Sequence, residues 1–98
     1  MKKIYTWQAM KEVLEYLQIY QDKNDGLEEV SRISSPSKKG SVGIETIIYH
    51  INNPPLTILR KSETKLDNPS WQRDHKIIIA GSEENISQFE RNVRNRVF

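Results

Sequence analysis

The first regular pattern in the chain is an apolar stripe that starts after Thr6. Its members recur at steps of three and four positions, the spacing that places side chains on one face of an α-helix. They are Trp7, Met10, Val13, Leu14, Leu17 and Tyr20. Thr6 is suited to cap such a helix, and residues 24–26 (Asn-Asp-Gly) form a turn signal that ends it. We therefore predict a helix over residues 7–23, with this stripe in the core.

The same helix carries apolar residues away from the stripe. With successive side chains about 100° apart, Tyr5, Tyr16 and Ile19 lie on another side, bordered by Glu12 and Glu15. A helix that is apolar on two sides is either enclosed by its own fold or in contact with another molecule. Tyr16 and Ile19 are thus candidate partner contacts, and self-association through this helix is a related hypothesis.

Three segments in the middle of the chain predict strands. Residues 41–51 alternate most clearly, with Ile44 and Ile48 on one side and Ile47 and Ile51 on the other. Because both sides carry apolar residues, this strand is expected at the centre of a sheet. Residues 27–33 fit a strand or a helical turn. We prefer a strand, because the polar loop after it can return the chain antiparallel. A short strand over 56–61 follows the Asn-Asn-Pro-Pro breaker.

The C-terminal part predicts a strand, a turn and a helix. Three consecutive isoleucines within residues 75–80 indicate a buried strand. Ser82 is suited to cap the following helix, with Glu83 and Glu84 in its positively polarised first turn. That helix has an apolar face made of Ile86, Phe89, Val93 and Val97. Residues 62–74 are polar and are expected to form a loop with a turn at Asn68-Pro69.

These elements predict one small α+β domain over residues 1–98. It consists of an N-terminal helix, a three- or four-stranded antiparallel β-meander and a C-terminal helix. With both helices on one face of the sheet, the domain is a two-layer sandwich. The length of 98 residues suits one domain. A core this small gains stability from oligomerisation or from a partner.

Composition narrows the chemistry. The chain has no cysteine, which excludes disulfides, Cys-ligated zinc and thiol nucleophiles. His50 and His75 are not at metal-binding spacing, and no serine lies in a Gly-x-Ser-x-Gly elbow. The Gly81-Ser82 turn lacks the lysine of a phosphate-binding loop. No apolar run is long enough to cross a bilayer. We expect a cytoplasmic protein that is not an enzyme, binds no metal or cofactor and has no membrane partner.

Trp71 is the most prominent candidate contact residue. It lies in the polar segment 67–74, two positions before Arg73. Tryptophan and arginine are enriched at the energetic centres of protein interfaces. A large aromatic side chain also suits the core, and Trp71 is as well placed to close one end of it. Both alternatives stay open at this point.

Nucleic-acid binding is the second hypothesis. The net charge of +2 is spread along the chain, unlike the basic footprint of a dedicated nucleic-acid binder. Arg91 and Arg94 nevertheless point away from the apolar face of the second helix, Arg96 lies on its flank, and Lys38 and Lys39 lie in a loop. Arg60, Lys61 and Arg73 add further cations. These cations form a phosphate-binding patch only if they converge. Otherwise they belong to an ordinary solvated surface.

The sequence therefore favours a small non-catalytic protein-binding domain of the inhibitor, immunity or adaptor type. Its Lys-, Asn- and Ile-rich composition is compatible with a phage or mobile-element product. It would act by steric occlusion of a partner's working surface, with contacts at Trp71, Arg73, Tyr16, Ile19, Arg91 and Arg94. The alternative is a nucleic-acid-binding accessory protein that uses Lys38, Lys39, Arg91, Arg94 and Arg96.

Overall fold

A computed structural model describes residues 1–24, 26–36, 42–65 and 67–98. Its elements in chain order are β1 (Lys2–Tyr5), α1 (Trp7–Asn24), β2 (Leu27–Pro36), β3 (Val42–Asn52), β4 (Pro55–Lys65), β5 (Asn68–Ala80) and α2 (Glu83–Asn95). The strands form one antiparallel sheet in the order β1-β5-β4-β3-β2. The predicted α+β architecture, with an N-terminal and a C-terminal helix, is confirmed.

The sheet has five strands, not the three or four expected. The additional strand is β1, which pairs with the end of β5 from Lys2 opposite Ala80 to Tyr5 opposite Ile77. This strand has four residues, two of which are lysines. It is too short and too polar to be identified from an alternation of apolar and polar residues. The expected loop over residues 62–74 is also wrong, because β4 continues to Lys65 and β5 starts at Asn68. The polar end of β4 pairs with β3, and the polar start of β5 pairs with β4. This pairing stabilises both segments, although their residues have little intrinsic preference for strands.

The start of α2 agrees with the sequence prediction. Ser82 is the N-cap, and its side-chain oxygen accepts a hydrogen bond from the backbone N–H of Asn85 at 3.1 Å. Glu83 and Glu84 occupy the first turn, where the partial positive charge of the helix end favours carboxylates. The helix ends at Asn95, and the following residue, Arg96, is the C-cap and adopts a left-handed conformation.

Both helices lie on one side of the sheet and share its core. The sheet contributes Ile58, Ile77 and Ile79, each fully buried, and α2 contributes Ile86 and Phe89. From α1 come Met10, Val13, Tyr16, Leu17 and Tyr20. Fully burying an aliphatic side chain stabilises the fold by about 2 kcal/mol. This side of the sheet is therefore the main source of stability.

Tyr16 lies inside this core, so the expectation that it faces outward is wrong. Its side chain is 1% exposed and its ring packs edge-on against Phe89 at 5.5 Å. On the other side the ring stacks on Phe98 at 4.9 Å, and its O–H donates to the carbonyl oxygen of Val97 at 2.6 Å. The second apolar side of α1 is covered by α2 and the segment after it. The helix is enclosed by its own fold at this point.

Trp7 shows the opposite outcome. The apolar stripe places it in the core, yet it is 81% exposed. It is the first residue of α1 and has a φ of 54°, an uncommon conformation for a bulky side chain. Helical periodicity does not apply to a residue whose backbone is not helical.

The two buried tyrosines allow a matched stability test. Tyr5 is 8% exposed, and among the described residues its hydroxyl has no hydrogen-bond partner, whereas the hydroxyl of Tyr16 has one. An unsatisfied buried polar group costs stability, and a satisfied one contributes about 1 kcal/mol. We expect Tyr5→Phe to raise the free energy of unfolding by about 1 kcal/mol and Tyr16→Phe to lower it similarly. Urea unfolding of both variants measures this, and equal losses would contradict it.

The hydroxyl of Tyr5 also predicts a loss of stability in alkali. Burial, followed by the charge of Glu90, raises its pKa to about 12. An unfolded tyrosine ionises near pH ~10, so the folded state holds this proton more tightly. The resulting stability is complete below about pH 10 and is lost as the pH rises toward 12. In urea titrations across this range, the wild-type protein should lose stability more steeply than Tyr5→Phe. Parallel slopes would rule out Tyr5 as the cause.

Candidate functional site

The side of the sheet opposite both helices is here called the open face. Successive side chains of a strand point to opposite sides of the sheet. In β3 this alternation directs Ile47 and Ile51 into the core and places Ile44 and Ile48 on the open face. Ile44 is 44% exposed. The division of β3 into these two sets agrees with the alternation in its sequence.

The strand register aligns apolar residues across the open face. Ile4, Ile78, Leu59 and Ile48 lie opposite one another in turn and form one row over β1, β5, β4 and β3. This set is called the apolar row below. Ile4, at its end, is 59% exposed, and the other three are partly buried by their neighbours. The sequence pattern does not reveal the apolar row. Ile78 is the middle one of three consecutive isoleucines, and such a run predicts burial for all three.

Positive charge surrounds the apolar row. By register, the open face carries Glu28 and Glu63 against five cations, which are Lys2, Lys61, Lys65, Arg73 and Lys76. Lys61 and Lys76 lie directly opposite each other on neighbouring strands. Like charges in that position destabilise a sheet. Among the described residues neither lysine forms an ion pair, so their repulsion is not offset within the chain.

Trp71 lies on the open face, near the start of β5. It is partly buried, outside the core cluster, and the ammonium group of Lys65 lies 4.7 Å from its ring centre. This geometry is a cation–π contact. Trp71 is therefore in a strand and not in the expected loop, and it does not close the core. Arg73, two residues further along the strand, is exposed on the same face.

The remaining predicted contacts lie elsewhere. Ile19 is partly buried on α1, while Arg91 and Arg94 are exposed on α2, on the other side of the sheet from Trp71. Arg91 donates a hydrogen bond to Gln88 at 2.9 Å. The six predicted partner contacts thus do not form one surface, since helix spacing alone does not show which side of the sheet a helix covers.

Part of the predicted nucleic-acid patch lies outside the described residues, namely Lys38 and Lys39. Of the cations on α2, Arg96 is directed to α1, where it lies 3.4 Å from a carboxylate oxygen of Glu15. Arg94 lines an open groove of about 550 Å³ between the helices, together with Tyr5 and Phe89. The cations of α2 therefore lie on the helix side, away from Lys61 and Arg73 on the open face.

Among the described residues, one of the two histidines lies beside a carboxylate. His75 Nε2 lies 3.2 Å from Glu63 Oε1, in an exposed pair. Asp74 is directed to the other side of the sheet and accepts two hydrogen bonds from Arg60, at 2.7 and 3.1 Å. No group of three potential metal ligands occurs among these residues.

The half-buried Arg60 is an anchor of the sheet. Burial is the largest single influence on the pKa of Arg60, and it lowers this pKa. The hydrogen bond from Arg60 to Asp74 and the charge of Asp74 act in the opposite direction, as does Tyr49. Together they outweigh burial, so the pKa is raised. The guanidinium group therefore remains charged and bound to Asp74 with bidentate geometry. Such a pair fixes the positions of β4 and β5, and it offers no group for acid–base chemistry.

Comparisons with models of protein families, with curated proteins and with solved structures find no match to this chain. Neither of its described helices combines the length and the apolar character that crossing a membrane requires.

The two faces of the sheet predict different costs for the same substitution. Ile4 on the open face is 59% exposed, and Ile77 on the helix side is fully buried. We expect Ile4→Ala to change the free energy of unfolding by less than about 0.5 kcal/mol and Ile77→Ala to lower it by about 3 kcal/mol. Chemical denaturation of the two variants provides the measurement. A large loss for Ile4→Ala would mean that the open face is covered in the isolated protein.

Proposed function

We propose that this protein is a non-catalytic domain that binds another protein through the open face and acts by covering the partner's surface. The observation that carries the proposal is the apolar row, which crosses four strands on the side of the sheet away from both helices. Contiguous apolar surface of this kind, with a charged rim, is typical of protein interaction sites. An inhibitor, an immunity protein or an adaptor fits this mode of action.

The charges on the open face indicate the chemical character of the partner's surface. A surface complementary to it is apolar at the centre and acidic at the rim, facing the lysines beside the apolar row. The opposition of Lys61 and Lys76 supports this choice, because a carboxylate of the partner would relieve their repulsion. On the helix side, by contrast, Arg60 is already neutralised by Asp74. Trp71 and Arg73 extend the same surface toward the start of β5.

Single-stranded nucleic acid is the second candidate. It is favoured by one observation, the presence of an aromatic ring, Trp71, on the same sheet face as five cations. Base stacking on an aromatic side chain and phosphate contacts to cations are the usual elements of such binding. Among the described residues, Trp71 is the only aromatic side chain (Phe, Tyr or Trp) on this face, so the apolar row favours the protein partner.

Charge reversal beside the apolar row tests the proposal. Lys61→Glu places a carboxylate opposite Lys76, so we expect a slightly more stable protein that binds its partner about tenfold more weakly. Tagged wild-type and variant proteins are used for capture from nuclease-treated lysate of the native cell. The affinity of the captured protein is then measured by calorimetry.

The matched control is Arg91→Glu, which makes the same change of charge at an exposed position on α2. It should bind like the wild type. If Arg91→Glu loses the partner and Lys61→Glu keeps it, the binding surface lies on the helix side and the proposal is wrong.

A labelled oligothymidylate separates the two candidates. Retention of this probe by the purified protein at low salt, with affinity that falls steeply as salt rises, would support the nucleic-acid function. Absence of retention, together with a nuclease-resistant protein partner, would support the protein-binding function.

A further inference from the structure

The strand β5 has an edge that is only partly covered. It extends over Asn68–Ala80, but β1 pairs only with its last part, from Ile77 to Ala80. Along residues 68–76, β4 pairs with one side of β5, and no strand among the described residues pairs with the other. This stretch is called the free edge below. Unpaired N–H and C=O groups on a strand edge can accept another strand.

We propose that a second copy of this chain pairs with the free edge, β5 against β5 in antiparallel orientation. The twofold axis passes through Gln72, and the two sheets join into one sheet of ten strands with all helices on the same side. This inference goes beyond the proposed function, because it concerns the edge of the sheet and a copy of the chain itself. It does not require the open face to bind anything.

The register follows from the position of Gln72. This residue is the midpoint of the free edge, so the pairing centred on it uses the whole stretch in both copies. It places Trp71 of each copy opposite Arg73 of the other, on the open face, and these side chains are suited to a cation–π contact. A register centred on Arg73 would place that cation opposite itself. A register centred on Trp71 would leave part of the edge unpaired.

The exposure of Trp7 provides an independent argument. Its side chain, 81% exposed, lines a groove of about 450 Å³ together with Arg73, Asp74 and His75 of the free edge. In the proposed dimer, the strand of the second copy continues the line of β1 past Tyr5, which is where this groove lies. The indole would then be covered by the second copy. In the isolated chain, a large apolar side chain in an uncommon backbone conformation is left in water.

The pairing is short. Pro69 has no N–H to donate, and the β4–β5 register shifts on both sides of Gln72, toward Asn68 and at His75. Residues 70–74 are thus the central stretch of the dimer, and side chains must contribute much of its stability. We therefore expect a dimer that dissociates on dilution, held together by Trp71, Arg73 and Trp7.

A single cysteine tests the symmetry axis, because the natural chain has none. At the axis the two copies of residue 72 are direct neighbours, with Cβ atoms about 5 Å apart. Gln72→Cys should therefore form a disulfide-linked dimer under mild oxidation. Ser34→Cys is the matched control, an exposed strand residue on the opposite edge of the sheet, and it should remain monomeric.

Sedimentation of the cysteine-free protein tests the dimer itself. From about 1 μM to about 1 mM, the wild type should pass from monomer to dimer. Trp7→Ala and Arg73→Glu should each shift this transition to concentrations at least about tenfold higher. A wild type that stays monomeric throughout, cross-linking of Ser34→Cys equal to that of Gln72→Cys, or a dimer unaffected by both substitutions would each overturn the proposal. Folding of every variant is verified by circular dichroism.

Discussion

The structure depends on the burial of one face of its sheet under two helices. Ile58, Ile77 and Ile79 are fully enclosed there, and each contributes about 2 kcal/mol relative to exposure in water. The helices cover only this side. The same strands that supply the core therefore carry their remaining apolar residues on a face with no second layer. A small two-layer protein with such a face leaves apolar side chains without a covering layer, and this constraint is the basis of the proposed function.

The enclosure of α1 follows from the same packing. Tyr16 is held between Phe89 and Phe98, so the end of the chain after α2 covers the side of α1 that the sheet does not reach.

Charge is distributed differently on the two sides of the sheet. On the helix side Arg60 is bound by Asp74 at 2.7 Å, whereas on the open face Lys61 opposes Lys76. The charge of Arg60 is thus neutralised within the fold, whereas the two opposed lysines have no ion-pair partner among the described residues.

The candidate site was predictable only in part. Trp71 and Arg73 were identified from their residue types, and the structure places both on the open face. Tyr16 was misplaced, because the angular position of a side chain on a helix does not show what covers that side. Ile78 was missed as a surface residue, and the opposition of Lys61 and Lys76 was not foreseen, because both depend on the pairing of β4 with β5. Register between strands is a long-range property that local patterns do not contain.

The sequence by itself determined the two helices, the cap at Ser82, the alternation of β3 and the α+β class, because periodicity and capping are local properties of the chain. The tertiary structure alone decided that β1 joins the edge of the sheet and that residues 62–65 and 68–74 belong to strands. It also decided which faces are covered, leaving Trp7 in solvent and burying Tyr16. The reason is that burial is a property of the assembled layers, and the contacts that produce it join residues far apart in the chain.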